Sequence, residues 1–324
     1  MPIPATALAV GRRLGAAVIT LFIASLVIFA ILRLVPGDPA TVLAGADATP
    51  ATVAGIRHDL GLDRSLVSQY LHWLGGLVTF DPGRSYVVGG TIGSLLAHGS
   101  ANTGILALAA LIIALVITAV LALGVTLWPA RWLRIVVTAF NSLSIAIPTF
   151  VTGVVLVQVF AVTLAWLPAG GTPPRGYLDD GGITLQYLLL PALCLGLPVA
   201  STLTRFLTEA LQTELRAPYI LTARAMGLSH TRVVLGSALR NALPSTLTAL
   251  GVQIGQLLGS AVLVEAIFAW PGLGQLLAQG INARDYPLVQ ALLLVSVTVF
   301  IVMATLTDLL QTALDPARRA AVSR

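Results

Sequence analysis

Long apolar runs alternate along this chain with short polar stretches. Leu14–Leu32, Ala101–Leu127, Ile135–Leu164, Ile183–Thr204, Leu243–Val264 and Leu288–Leu310 are almost free of charge. About 20 apolar residues in a helix cross a bilayer, so the pattern predicts six spans. Pro148 predicts a kink in the third span, and Pro191 with Pro198 an irregular fourth. Arg12 and Arg13 precede the first run, which is longer than the roughly 7–15 apolar residues of a signal peptide. A retained span with its N-terminus inside is expected. Ala44-Gly45-Ala46 imitates a cleavage site but lies well past the run.

Two polar regions interrupt the pattern. Residues 36–100 are mixed in character and predict a small external domain. Its first clear helix is expected at Pro50, with Thr49 as cap. Residues 205–244 form an elbow between spans four and five. Tyr219–Met226 reads as a short helix of good formers. Gly227 suits the left-handed position that ends it, with Leu228 folding back. Ser229 then caps a second helix running to about Leu243, closed by Pro244. Such a stiff elbow can transmit a push, which a flexible loop cannot.

Composition narrows the class. Hydrophobic residues make up 57% and charged residues only 10%, where soluble domains average about 25% charged. All 18 basic residues are arginine. Without lysine there is no P-loop to hold nucleotide phosphates and no Schiff base. Any ATP hydrolysis therefore belongs to another chain. The single Cys194 permits no intrachain disulfide, and His58, His72, His98 and His230 lack ligand spacing. No cofactor or metal is expected.

The segment Thr222-Ala-Arg-Ala-Met-Gly-Leu228, followed by Ala238-Leu-Arg-Asn-Ala-Leu-Pro244, resembles the coupling loop of binding-protein-dependent ABC importer permeases. More narrowly it is similar to the B-type permease of the dipeptide, oligopeptide and nickel group. Arg57–Asp63, Gln69–Leu74, Val262–Leu277 and Ala283–Pro287 extend the resemblance over most of the chain. Two departures stand out. Leu221-Thr222-Ala223 occupies the place of Glu-Ala-Ala in many importers, and Pro244 falls one residue early.

The resemblance implies an all-α membrane protein of the bacterial inner membrane. It implies a second homologous permease, two cytosolic ATPases, an external solute-binding protein, and peptides as the commonest cargo. It assigns ATPase coupling to Tyr219, Thr222, Ala223, Arg224, Ala225, Gly227, Leu228, Arg240 and Asn241.

Charge orients the chain. Twelve of 18 arginines fall in segments that would face the cytoplasm, Arg12, Arg13, Arg318, Arg319 and Arg324 among them. The positive-inside rule then puts both termini inside. The domains expected are 1–35 for the first span, 36–100 outside, 101–314 for a five-span core, and 315–324 as an inner tail. Arg175, Asp179 and Asp180 would lie in an outer loop. In the fifth span Gly251, Gly255 and Gly259 form one ridge suited to close helix packing. Gln253 and Gln256 lie on another face, either lining a solute path or bonding neighbouring helices.

Other classes fit less well. A helix-turn-helix reading of the elbow lacks the compact domain it needs, so no nucleic acid is expected. An ion-coupled transporter normally carries ionisable groups inside the membrane, and the span centres have none. No triad or paired-carboxylate set lies within the spans, which argues against a membrane enzyme.

Overall fold

The computed structural model describes residues 5–34, 37–45, 47–173 and 181–314. The outer-loop residues Arg175, Asp179 and Asp180 and the tail arginines Arg318, Arg319 and Arg324 lie outside them, and the side chains of Arg12 and Arg13 are likewise not described. Among the described residues the fold is helical, with one isolated bridge between Arg84 and Thr91. Five helices among the described residues are long and apolar enough to cross a membrane: Gly15–Leu34, Ile92–Leu127, Gly181–Leu215, His230–Ile267 and Tyr286–Thr305. A sixth crossing arises if the bent pair Arg131–Ala146 and Thr149–Thr163 counts as one.

The chain divides into two compact units. The larger is built on Gly104–Trp270. Its principal helices are α5 (Ile92–Leu127, from Gly104 onward), α6 (Arg131–Ala146), α7 (Thr149–Leu156), α8 (Gly181–Leu215) and α11 (Leu239–Ile267). Small side chains let the backbones close up. Ala110 and Ala114 of α5, Ala192 and Ala200 of α8, and Ala261 of α11 share one buried core with Leu190, Leu195, Leu203 and Phe268. A Cβ on Gly196 would lie 2.8 Å from the Ala110 carbonyl oxygen, so only glycine admits this approach. Ser201 Oγ donates to the Asn141 carbonyl (3.0 Å) and Thr118 Oγ1 to the Ala200 carbonyl (3.3 Å). These bonds satisfy hydroxyls that an apolar interior would otherwise penalise.

Proline acts differently here from its sequence reading. At Pro148 the structure has a break rather than a kink: α6 and α7 diverge by 108°. Ile147 is extended (ψ 122°), as a residue before proline prefers. The apolar run Ile183–Thr204, expected to be an irregular fourth span, lies instead in one 35-residue helix that runs through Pro191 and Pro198. Long membrane helices tolerate proline where neighbouring groups satisfy the freed backbone. Pro244, expected to close the second elbow helix, likewise sits inside α11. The cap at Ser229 starts a continuous 38-residue rod through α10 (His230–Arg232), a π-helical stretch (Val233–Ala238) and α11.

The smaller unit joins Val10–Thr103 with Pro271–Ile301. It holds most of α1 (Ala5–Leu34), then α2 (Pro39–Ala44), α3 (Pro50–Asp59) and α4 (Leu66–Val78), and later α12 (Leu273–Asn282) and the first half of α13 (Tyr286–Leu314). Caps set the short helices. Thr49 accepts from Thr52 N, with Pro50 in the first turn, as its sequence predicts. Asp38 caps α2 and also pairs with Arg57. Burial opposes its ionisation, but the bonds from Arg57 and the Ala40 N–H outweigh that and hold the carboxyl below the usual range.

Asp285 knots this unit together. Fully buried, it accepts from Ser85 Oγ (2.5 Å), Val87 N (3.0 Å) and Leu288 N (3.4 Å). Ser85 Oγ in turn accepts from Val88 N and Gly89 N. A loop at 85–89 is thus fixed to a turn 200 residues away.

Candidate functional site

The elbow is built on the C-terminal ends of α5 and α8 and the start of the rod. Arg216 and Ala217 alone separate α8 from α9 (Pro218–Ala225), and Pro218 opens α9 at a position where its missing N–H is harmless. Two bonds end it. Gly227 N donates to Arg224 O (2.9 Å) and Leu228 N to Ala223 O (3.2 Å), with Gly227 at φ +82°. This is the Schellman pattern. Ser229 then caps the rod by accepting from Arg232 N. Both signals were visible in the sequence because each is local chemistry.

One side of α9 is buried. Ile220 and Ala223 pack with Ala122 of α5, Leu207 and Leu211 of α8, and Val233, Ala238 and Ala242 of the rod. His230 Nε2 lies 3.1 Å from the Thr126 carbonyl, which ties the start of the rod to α5. Tyr219 completes the seat. Its hydroxyl donates to Glu214 Oε2 (2.5 Å) and accepts from Asn241 Nδ2 (3.0 Å). Three helices thus meet at one phenol. Desolvation and the bond to the Glu214 carboxylate push its pKa up, so it remains a donor at neutral pH.

The other side of α9 is open. Thr222, Arg224, Ala225 and Gly227 are exposed, as are Arg240 and Asn241 on the rod, while Leu228 is half-buried. Leu221 and Met226 stand 67% and 72% exposed beside them. Sequence reading passed over these two, although apolar side chains on a charged, solvated elbow are the signal of a covered face. Ala223, read alongside the exposed positions, is 7% exposed and belongs to the elbow's own seat.

In α11 Gln253 is buried and donates to the exposed Gln256 (Nε2 to Oε1, 3.0 Å). Gly251 is buried. A Cβ on Gly255 or Gly259 would meet no atom of the chain within 4 Å, so that part of the ridge has no close neighbour here. Among the described residues no cluster of metal-ligating side chains occurs.

Membrane-length helices joined by a half-buried elbow define a multi-span helical membrane protein, and sequence comparison gives its class. The chain belongs to the family of binding-protein-dependent transport system inner membrane components, whose profile matches residues 114–320. The profile of the family's N-terminal membrane component matches residues 8–94. The chain is a permease subunit of that family, multi-pass in the inner membrane.

Among curated relatives, it is 35% identical to the glutathione transport system permease protein GsiC of Escherichia coli strain K12, over 95% of this chain and 97% of that one. The GsiC protein of Salmonella choleraesuis matches to the same extent. Among solved structures, the inward-facing MetNI methionine ABC transporter aligns with 71% of this chain and 97% of its own, at TM-score 0.50 and 23% identity. That likeness is one of fold.

Proposed function

We propose that this chain forms half of the translocation pathway of an ATP-driven importer of small peptides, and that α9 docks onto a cytosolic ATPase. The exposed pair Leu221 and Met226 carries the reading, since they project from an elbow whose other face is locked to three helices. In this reading two cytosolic ATPases push on two such elbows, one from this chain and one from a homologous permease. An external binding protein delivers the solute. The chain crosses six times, with the bent pair α6–α7 as one crossing and both termini inside. Residues 36–100 lie outside, 101–314 form the core, and 315–324 extend inward. The open ridge at Gly255 and Gly259 suits close approach of the second permease. Gln253 and Gln256 offer polar groups to the pathway. Peptide cargo follows from the relatives, whose glutathione is a small peptide.

The test is co-purification. Leu221→Asp and Met226→Asp place charge on the proposed contact without touching the seat, where an unpaired buried charge is costly. Both variants are expected to insert normally and to lose the ATPase subunits on an affinity column. Retention of the ATPase by both, at wild-type stoichiometry, would show that α9 is not the docking element.

A further inference from the structure

Within the smaller unit, α4 packs on the last turns of α1. The Tyr70 and Trp73 rings lie 5.4 and 6.2 Å from the Phe29 ring, and the Tyr70 hydroxyl is 2.8 Å from Ser25 Oγ. Phe29 sits about 8 Å of helix axis before α1 ends at Leu34. Since α1 is long and apolar enough to cross a membrane, α4 meets it just below the point where it would leave the bilayer. Ile23, Leu26, Val27 and Ile31 stand exposed along the same stretch of α1.

The sequence of α4 suits that depth. Leu66-Val-Ser-Gln-Tyr-Leu-His-Trp-Leu-Gly-Gly-Leu-Val78 contains no Asp, Glu, Lys or Arg, while Asp63 and Arg64 precede it and Asp81 follows. Gln69, Tyr70, Trp73, Leu74 and Leu77 make its half-buried, packed face. The exposed remainder divides in two. Val67, Leu71 and Val78 fall within one arc of about 40°, and Ser68 and His72 within another, about 100° further round. The three apolar side chains are 68%, 59% and 72% exposed. Among the described residues, α3 of the same region leaves no large apolar side chain exposed. Tyr70 lies on the side of the packed face next to the apolar arc, and its hydroxyl reaches Ser25, one turn deeper in α1 than Phe29. The apolar arc is therefore turned towards the body of the span and the polar arc away from it. Just past the helix, Phe80 is 93% exposed at φ +57°. Bonds from Phe80 N to Leu77 O and from Asp81 N to Gly76 O hold it there. Glycine is the usual residue at this helix end, and a bulky one is an outlier.

We propose that α4 is an interfacial helix of the outer leaflet, with Val67, Leu71, Val78 and Phe80 among the acyl chains and Tyr70 and Trp73 at the headgroup level. Such helices sink their apolar face roughly 5–10 Å into the headgroup boundary, the depth at which α4 meets Phe29. The proposal rests on α1 crossing the membrane with residues 36–100 on its outer side, and it refines that placing, because α4 leaves the water that bathes α3. It is independent of ATPase coupling.

The test is spin labelling of the complete complex in liposomes, with cysteine-free partner chains and Cys194→Ser in this one. Single labels go on Val67→Cys, Leu71→Cys, Val78→Cys and Phe80→Cys, all exposed positions whose labels leave the packing intact. Power saturation compares collision with oxygen, which concentrates in hydrocarbon, and with a nickel chelate, which stays in water. These four labels and Val27→Cys on α1 are expected to relax faster with oxygen than with the chelate. Ser68→Cys, His72→Cys and Ala54→Cys in α3 are expected to show the reverse. If the four labels follow Ala54→Cys while Val27→Cys keeps its oxygen preference, α4 lies in water and the proposal falls with the crossing of α1 untouched. If they are shielded from both reagents, another protein covers the face and the proposal falls equally. A chelate preference at Val27→Cys would take α1 out of the bilayer and overturn both readings.

Discussion

Gly227 offers a test in which backbone strain and side-chain size rank asparagine and alanine in opposite order. Its φ of +82° is left-handed, and an added Cβ meets no atom within 4 Å. The penalty for any other residue is therefore conformational alone, about 1–2 kcal/mol. Against it stands the seat of α9: the burial of Ile220, worth about 1.5–3 kcal/mol, and the two bonds of Tyr219, about 0.5–1.5 kcal/mol each. The strain does not exceed these terms, so the elbow still forms. Its docking-competent geometry is populated less, by roughly tenfold for each 1.4 kcal/mol.

Asn tolerates left-handed backbone, Ala does so poorly, and a β-branched residue is a genuine outlier there. Uptake and binding-protein-stimulated ATP hydrolysis, measured in liposomes with the complete complex, are expected to fall in the order Gly227→Asn, Gly227→Ala, Gly227→Val. Asn is expected to stay near wild type and Val to lose nearly all coupling, while membrane insertion is unchanged. Side-chain volume alone predicts that Ala outperforms Asn. That outcome, or a fully coupled Gly227→Val, would refute the role given to the left-handed cap.

Two further expectations follow from the helix contacts. Tyr219→Phe and Asn241→Ala should each lower coupled hydrolysis, and their double mutant should add little, because both remove one node; an additive double-mutant cycle would separate them. Gly196→Leu should destabilise the chain itself by about 1–3 kcal/mol, since its Cβ meets the Ala110 carbonyl. Gly255→Leu, with open space around it, should leave thermal stability unchanged and reduce recovery of the paired permeases. The reverse pattern in melting and co-purification would place the close contact at the wrong glycine.

The elbow's punctuation was legible in sequence because its agents are local: a glycine with nothing but hydrogen to offer the left-handed region, and a serine that reaches a nearby N–H. The facing of α9 was not. Eight residues contain only about two turns, and their apolar positions do not settle whether Ala223 or Leu221 turns inward. That is decided by Leu207, Leu211 and Val233 on other helices. Proline misled for a related reason. Its local effect is to remove a donor, and whether the helix breaks depends on what satisfies the freed carbonyl. At Pro191, Pro198 and Pro244 the helix continues, whereas at Pro148 the extended Ile147 turns the chain by 108°. The pairing of Ser85 with Asp285 leaves no trace in a single sequence, since neither residue is unusual in its own neighbourhood.

The bond between Ser85 and Asp285 also orders events during synthesis. The loop at 85–89 draws two backbone N–H groups to a serine that itself depends on a carboxylate 200 residues further on. Ribosomes add about 5–20 residues per second, so the carboxylate arrives roughly 10–40 s after the serine. Throughout that interval the 85–89 loop lacks its anchor, while the pairing of Asp38 with Arg57 and the packing of Tyr70 and Trp73 on Phe29 can already form. A chain truncated before Asp285 would carry the 85–89 loop unanchored and open to proteases.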